Sequence, residues 1–231
     1  MVKKTMLKLF FLLVAVICMS SCQNKYENML ENNTSEIRQY LFEGKRDNIS
    51  ASLIVGMREK NYIVNGYSGE LIEFGVLSFD VSKCDKIDSG ASNFILFVGT
   101  DKFEGDLQEN PFDKTLVADI KKIIDCNKKV IARIISKDYE QDIELKCVNS
   151  KWKVNADDVY KIVAKKLKKE ISAFIIKNNF EGEVYIKIIN DADINVGDYY
   201  WFVSIIGRGG SRLSAIISPS NSEILAINNY T

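Results

Sequence analysis

The stretch Asn155-Ala-Asp-Asp-Val-Tyr-Lys-Ile-Val-Ala-Lys-Lys-Leu167 decides how the rest of the chain is read, because it is the clearest helix in the sequence. Asn155 suits the N-cap, where its side chain accepts from an otherwise orphaned backbone N–H. Asp157 and Asp158 fall in the first turn, where the helix dipole favours negative charge. Val159, Val163, Leu167, Ile171 and Phe174 recur at helical spacing with Tyr160 beside them, so one face is apolar. Lys161, Lys165, Lys168 and Lys169 fall on the opposite face. Lysines placed so are ordinarily solvated, but on a protein held near an anionic bilayer they would meet lipid headgroups.

An amphipathic helix needs a surface to cover, and the chain after it supplies one. Period-2 segments at 183–189, 199–207, 212–217 and 224–228 are separated by Gly197-Asp198, by Gly207-Arg-Gly-Gly210 and by a turn at 219–222, which predicts an antiparallel meander. Trp152, Trp201, Tyr199 and Tyr200 are expected as core and sheet-face aromatics. Asp198-Tyr-Tyr-Trp-Phe-Val-Ser204, the strand 213–217 and Ser218-Pro-Ser-Asn-Ser-Glu-Ile-Leu225 resemble the end of PepSY-type modules, so residues 155–231 are similar to that family. Ser218 and Ser222 stand where the family has aspartate and glycine, which leaves Asn221 to supply a positive φ. The resemblance implies a small helix-on-sheet module of exported or membrane-associated bacterial proteins, some suspected of restraining proteases.

Upstream, 49–57 alternates as a strand, Asn65-Gly66 is a tight-turn signal, and 71–81 is a longer strand. A continuous apolar run at 94–98 predicts a strand buried on both faces. Thr34 with Ile37, Tyr40 and Leu41 predicts a short helix stopped by Gly44, and Leu116, Val117, Ile120, Ile123 and Ile124 predict another. The acid-rich segment 100–114 reads as an irregular solvated loop, since its order does not match a calcium-binding loop. Segments 130–135 and 142–148 read as a hairpin. The expectation is an α+β fold, mostly antiparallel sheets with packed helices: an N-terminal domain over 36–150 and a helix-plus-β-meander domain over 151–231.

Residues 1–21 are of a different kind. Lys3, Lys4 and Lys8 precede an apolar run at 9–19, about 11 residues and far short of the roughly 20 that span a bilayer. Met19-Ser20-Ser21-Cys22 then resembles the lipobox of bacterial lipoproteins. That resemblance implies a signal peptide over 1–21, a lipidated Cys22 and an extracytoplasmic, membrane-anchored chain with a polar tether at 22–35. Removing three of the 31 basic residues against 31 acids leaves a net charge of about −3, so no basic surplus points to nucleic acid.

The 231 residues contain no histidine, which removes Ser-His and Cys-His catalysis and histidine metal ligation together. No metal or cofactor motif is expected. Cys84, Cys126 and Cys147 are an odd number with pairing open, and Cys147 reads as a small buried hydrophobe. Gly66-Tyr-Ser-Gly69 is followed by Glu70 and so reads as a turn, not a nucleophile elbow. Gly207-Arg-Gly-Gly210 precedes a strand and so is no phosphate loop, while Arg208 and Arg212 at its base are candidates to clamp an anion. The expected function is a non-enzymatic binding or interaction lipoprotein with an envelope protein or peptide as partner. The alternative is a cell-envelope hydrolase using carboxylates or a Ser-Lys pair.

Overall fold

The computed structural model describes residues 25–61, 64, 67–84, 86–87, 92–190 and 198–230. Cys22, its lipobox and the Asn65-Gly66 turn lie outside those residues. Strands dominate, in this order: β1 (Thr34–Arg46), β2 (Ile49–Glu59), β3 (Leu71–Asp80), β4 (Asn93–Val98), β5 (Asp101–Asp106), β6 (Gln108–Glu109), β7 (Leu116–Ile120), β8 (Val130–Ser136) and β9 (Tyr139–Cys147). After the helices come a two-strand ribbon, β10 (Ile175–Ile176) with β11 (Asn179–Phe180), and then β12 (Gly182–Asn190), β13 (Tyr199–Gly207), β14 (Arg212–Ile217) and β15 (Ile224–Tyr230). Helix is confined to α1 (residues 25–31), α2 (Ala156–Lys166) and α3 (Lys168–Ser172) among the described residues.

The expected α+β class is therefore corrected to a β-rich, mostly antiparallel fold with three short helices. Its two N-terminal helices are strands instead. The helix expected after Thr34 is β1, and the one expected from Leu116 is β7. Part of the acid-rich loop is also a strand, β5, paired along β4 from Asn93↔Asp106 to Val98↔Asp101. The run 94–98 is not buried on both faces: Phe94, Leu96 and Val98 point into the core while Ile95 and Phe97 are half-covered.

β1 misleads because it is bulged. Arg38 pairs with Gly56 and Tyr40 with Val55, so Gln39 is an extra residue and the two-residue period breaks there. Ile37 and Leu41 then contribute to one core cluster while Tyr40 and Phe42 reach the other, a pattern that imitates helical spacing. The same strand joins the two halves of the sheet. Its first residues pair in parallel with β12 (Ile37↔Ile186), and its last pair with β9 (Phe42↔Cys147).

On the β9 side the sheet runs β5-β4-β8-β9-β1-β2-β3-β7, and β5 returns to touch β7, so it curls into a nearly closed barrel. Alternate residues fill the interior: Leu53 and Val55, Leu77 and Phe79, Leu96, Ala132 and Ile134, Ile143 and Leu145 are all buried. Cys147 is bonded to Cys126, with Cα atoms 5.4 Å apart, which corrects its reading as a small buried hydrophobe; among the described residues Cys84 is the free thiol.

On the β12 side the order is β15-β14-β13-β12-β1, covered by α2 and α3. Asn155 caps α2 through a full capping box with Asp158, and Val159, Val163, Leu167, Ile171 and Phe174 are buried against Ile186, Trp201 and Ile205. The helix is broken at Leu167 (φ −114°), so the expected single helix to residue 174 is two. Trp201 is fully buried and its indole N–H donates to the Val154 carbonyl at 2.9 Å. In the turn before β15 the positive φ falls on Ser222 (62°), not Asn221. The segment expected as a tether is helical from residue 25, and Leu30 is buried in this cluster, so the packed body begins earlier than residue 36.

Candidate functional site

Three glutamates are almost fully buried: Glu36 at 3%, Glu59 at 4% and Glu183 at 0% exposure. A buried carboxylate is costly unless its oxygens are paired, and here they are. Glu59 Oε1 accepts from the Ser35 hydroxyl at 2.8 Å and from the Gly69 backbone N–H at 2.6 Å. Glu183 Oε1 accepts from the Tyr67 N–H at 3.0 Å, and Tyr185 donates its hydroxyl to the other oxygen. Glu36 is paired with Arg38 and, at 3.4 Å, with the Lys187 ammonium. Arg208 completes the set, its guanidinium 3.5 Å from the Tyr67 ring centroid and 3.4 Å from Glu181.

The consequence is mechanical. Two of these carboxylates hold backbone N–H groups of the segment after β2, which straps 67–69 to β2 and β12. Arg208, expected to pair with Arg212 as an anion clamp, is committed to Tyr67 and Glu181; Arg212 stands exposed on the first residue of β14.

Beside this strap, β1, β2 and β3 carry an open groove on the face turned away from the barrel interior. Antiparallel pairing aligns its floor in rows: Lys45, Ser50 and Asp80; Glu43, Ser52 and Ser78; Ile54 and Val76; Glu36 and Arg58. Two cavities occupy it, one of about 610 Å³ at the Lys45 end and one of about 560 Å³ at the Arg58 end. Asp113 lines both, so they are lobes of one trough. The nine residues from Ser50 to Arg58 along β2 set its length at about 26 Å.

Asp113 belongs to the β6–β7 loop, which is braced across itself. The Asn110 N–H donates to the Thr115 carbonyl at 2.8 Å and the Lys114 N–H to the Asn110 carbonyl at 2.9 Å. The Thr115 hydroxyl and N–H both donate to Asp113 Oδ1, which holds that carboxyl below its usual range. Phe112 projects from the tip at 95% exposure.

The two ends of the trough differ in charge. At one end Glu43, Asp80 and Asp113 outnumber Lys45, and the Tyr199 hydroxyl donates to the Glu43 carboxylate at 2.6 Å; burial and that bond hold the phenol well above its usual range. At the other end Arg58 lies 4.9 Å from the Phe74 ring centroid and 3.7 Å from Asp119, with Arg38 beside it. Among the described residues no group of three or more Cys, Asp or Glu side chains is placed to hold a metal ion, and no helix is long and apolar enough to cross a membrane.

Comparison of the chain with protein-family models, with curated proteins and with solved structures finds no match.

Sequence reasoning missed Glu36, Glu59, Glu183 and the trough. Glu59 left a trace: it continues the odd-numbered positions of β2, where Ile49, Ala51, Leu53 and Val55 are buried, so it is a charge on the inward parity of a strand. The expected lysines of α2 and α3 are exposed, but not equivalent. Lys161 lies 3.4 Å from Asp158, and Lys168 sits 5.2 Å from the Tyr26 ring centroid.

Proposed function

We propose that this chain is a lipid-anchored, non-enzymatic binding protein on the extracytoplasmic side of a bacterial membrane, and that the β1–β3 trough takes an extended peptide segment. The lipobox-like Met19-Ser20-Ser21-Cys22 supports the anchor. The observation that carries the ligand reading is the trough itself: an open channel about 26 Å long accommodates about eight residues of extended chain. Its hydroxyl-lined floor at Ser50, Ser52 and Ser78 offers hydrogen bonds to backbone groups along that path. Acids outnumber Lys45 at one end and favour a basic residue towards Asp80, while at the other end Glu36 engages Arg38 and leaves Arg58, 3.7 Å from the exposed Asp119, as the cation that meets an acidic residue.

A carboxylate hydrolase is the less supported reading, because the buried glutamates spend oxygens on Ser35, Gly69, Tyr67, Tyr185, Arg38 and Lys187. Selection from a random octapeptide library tests the proposal, with Arg58→Glu as the counter-target. Peptides retained by the natural protein should carry an acidic residue near one end and bind Arg58→Glu about tenfold or more weakly, a loss of about 1.4 kcal/mol. Enriched peptides that bind both proteins alike would remove the trough as the ligand face.

A further inference from the structure

The basic end of the helical layer lies beside the point where the chain leaves for Cys22. Helix α1 is fixed to the body: Leu30 is buried, its carbonyl accepts from the Thr34 hydroxyl at 2.9 Å, and the Asn33 side chain donates to the Met29 carbonyl at 2.7 Å. Tyr26 packs on the same core, with the Lys168 ammonium over its ring. Three residue steps separate Lys25 from Cys22, and they reach at most about 11 Å. A lipid on Cys22 therefore holds this part of the body against the bilayer surface, with no room for a long tether.

The structure also divides the lysines of α2 and α3. Lys161 is at the acidic end, paired with Asp158 and close to Glu31, whose carboxyl is pushed up by burial and by Glu27 and Asp157. Lys165, Lys166, Lys168 and Lys169 gather at the other end with Glu170 as the acid among them, and Lys25 is exposed on the neighbouring helix. Directly after α3 the β10–β11 ribbon presents Ile176, 51% exposed, next to Lys177. Exposed cations at the start of α3, followed in the chain by an exposed aliphatic tip beside Lys177, match a negatively charged headgroup layer above hydrocarbon.

We propose that Lys25, Lys165, Lys168 and Lys169 dock on an anionic lipid bilayer and set the orientation of the anchored protein. This rests on the anchor reading, and the test separates the two. The lipidated full-length protein is floated with vesicles of neutral phosphatidylcholine, or of the same lipid with about 30 mol % phosphatidylglycerol. Lysines are then acetylated by a water-soluble reagent and read by mass spectrometry. Docking predicts labelling of these four lysines about fivefold slower on the anionic vesicles than on the neutral ones, with Lys83 and Lys128 unchanged, and protection lost at about 1 M salt, where screening acts within about 3 Å. In the triple variant Lys165→Gln, Lys168→Gln, Lys169→Gln the protein should still float while Lys25 loses its protection. Flotation with equal labelling on both vesicles overturns docking and leaves the anchor standing; failure to float on neutral vesicles overturns the anchor and the docking built on it.

Discussion

Single residues show where this fold spends polar groups inside itself. Tyr160 is 6% exposed, and its hydroxyl is 2.8 Å from that of Thr34; burial pushes the phenol up to about 12 from its usual 10. Above about pH 10 the unfolded chain releases a proton from Tyr160 that the folded chain keeps, so the Tyr160 contribution is fully present below that pH and is lost as pH rises from 10 towards 12. The fall amounts to about 2–3 kcal/mol. Urea denaturation across that range should record it, and Tyr160→Phe should make the slope shallower without abolishing it, since Tyr199 is shifted the same way. An equal slope in both proteins would mean that Tyr160 ionises freely in the fold.

Residues of this kind are the least legible from sequence. Tyr160 was placed correctly on the apolar side of its helix because the 3.6-residue period exposes that side at a glance. Nothing local in the sequence signals that Thr34, 126 positions earlier, would meet it. Glu183 is similar: its partner is a backbone N–H at Tyr67, 116 residues away in the chain. Only Glu59 carried a local mark, because it extends the buried parity of β2.

At the scale of elements, the bulged strand β1 joins the two halves of the sheet. Gly56 lies across from Arg38 at the bulge, and a Cβ there would stand 1.9 Å from the Ile37 carbonyl oxygen. That contact is with backbone, so no side-chain rotation relieves it. Gly56→Ala should cost at least about 3 kcal/mol and loosen both halves of the sheet, because β1 serves both. Thermal unfolding, followed by the near-ultraviolet signal of Trp201 and by amide exchange in β8 and β9, should move together; a variant as stable as the natural protein would show that the bulge is not fixed by this close approach.

Elements with regular periods are legible in the sequence: β2, β3, the β8–β9 hairpin and the N-terminus of α2 follow from alternation or from the cap at Asn155. Failures gather where the period is broken or charge interrupts it. The bulge at Gln39 turned β1 into an apparent helix. Leu116, Val117 and Ile120 fit either period, and pairing with β3 and β6 decides for strand. β5 looked like a loop because Asp101, Lys102, Glu104 and Asp106 are exposed, and its pairing with β4 lies in hydrogen bonds that composition does not reveal.

In the whole molecule, one bulged strand ties a filled, nearly closed barrel to a helix-covered sheet. The barrel interior is packed with side chains, and the trough proposed to take a peptide lies outside it, along β1–β3. This is why the trough escaped the sequence: its floor is assembled from three strands and its lip from the β6–β7 loop, each unremarkable alone. Hydrogen–deuterium exchange of the natural protein saturated with a selected octapeptide tests the claim most directly. Peptide in the trough should slow exchange in the β6–β7 loop, residues 110–115, and along β2 from Ser50 to Arg58, with β12–β15 unchanged. Protection confined to β12–β15, or to the strap at 67–69, with residues 110–115 unaffected, would contradict it.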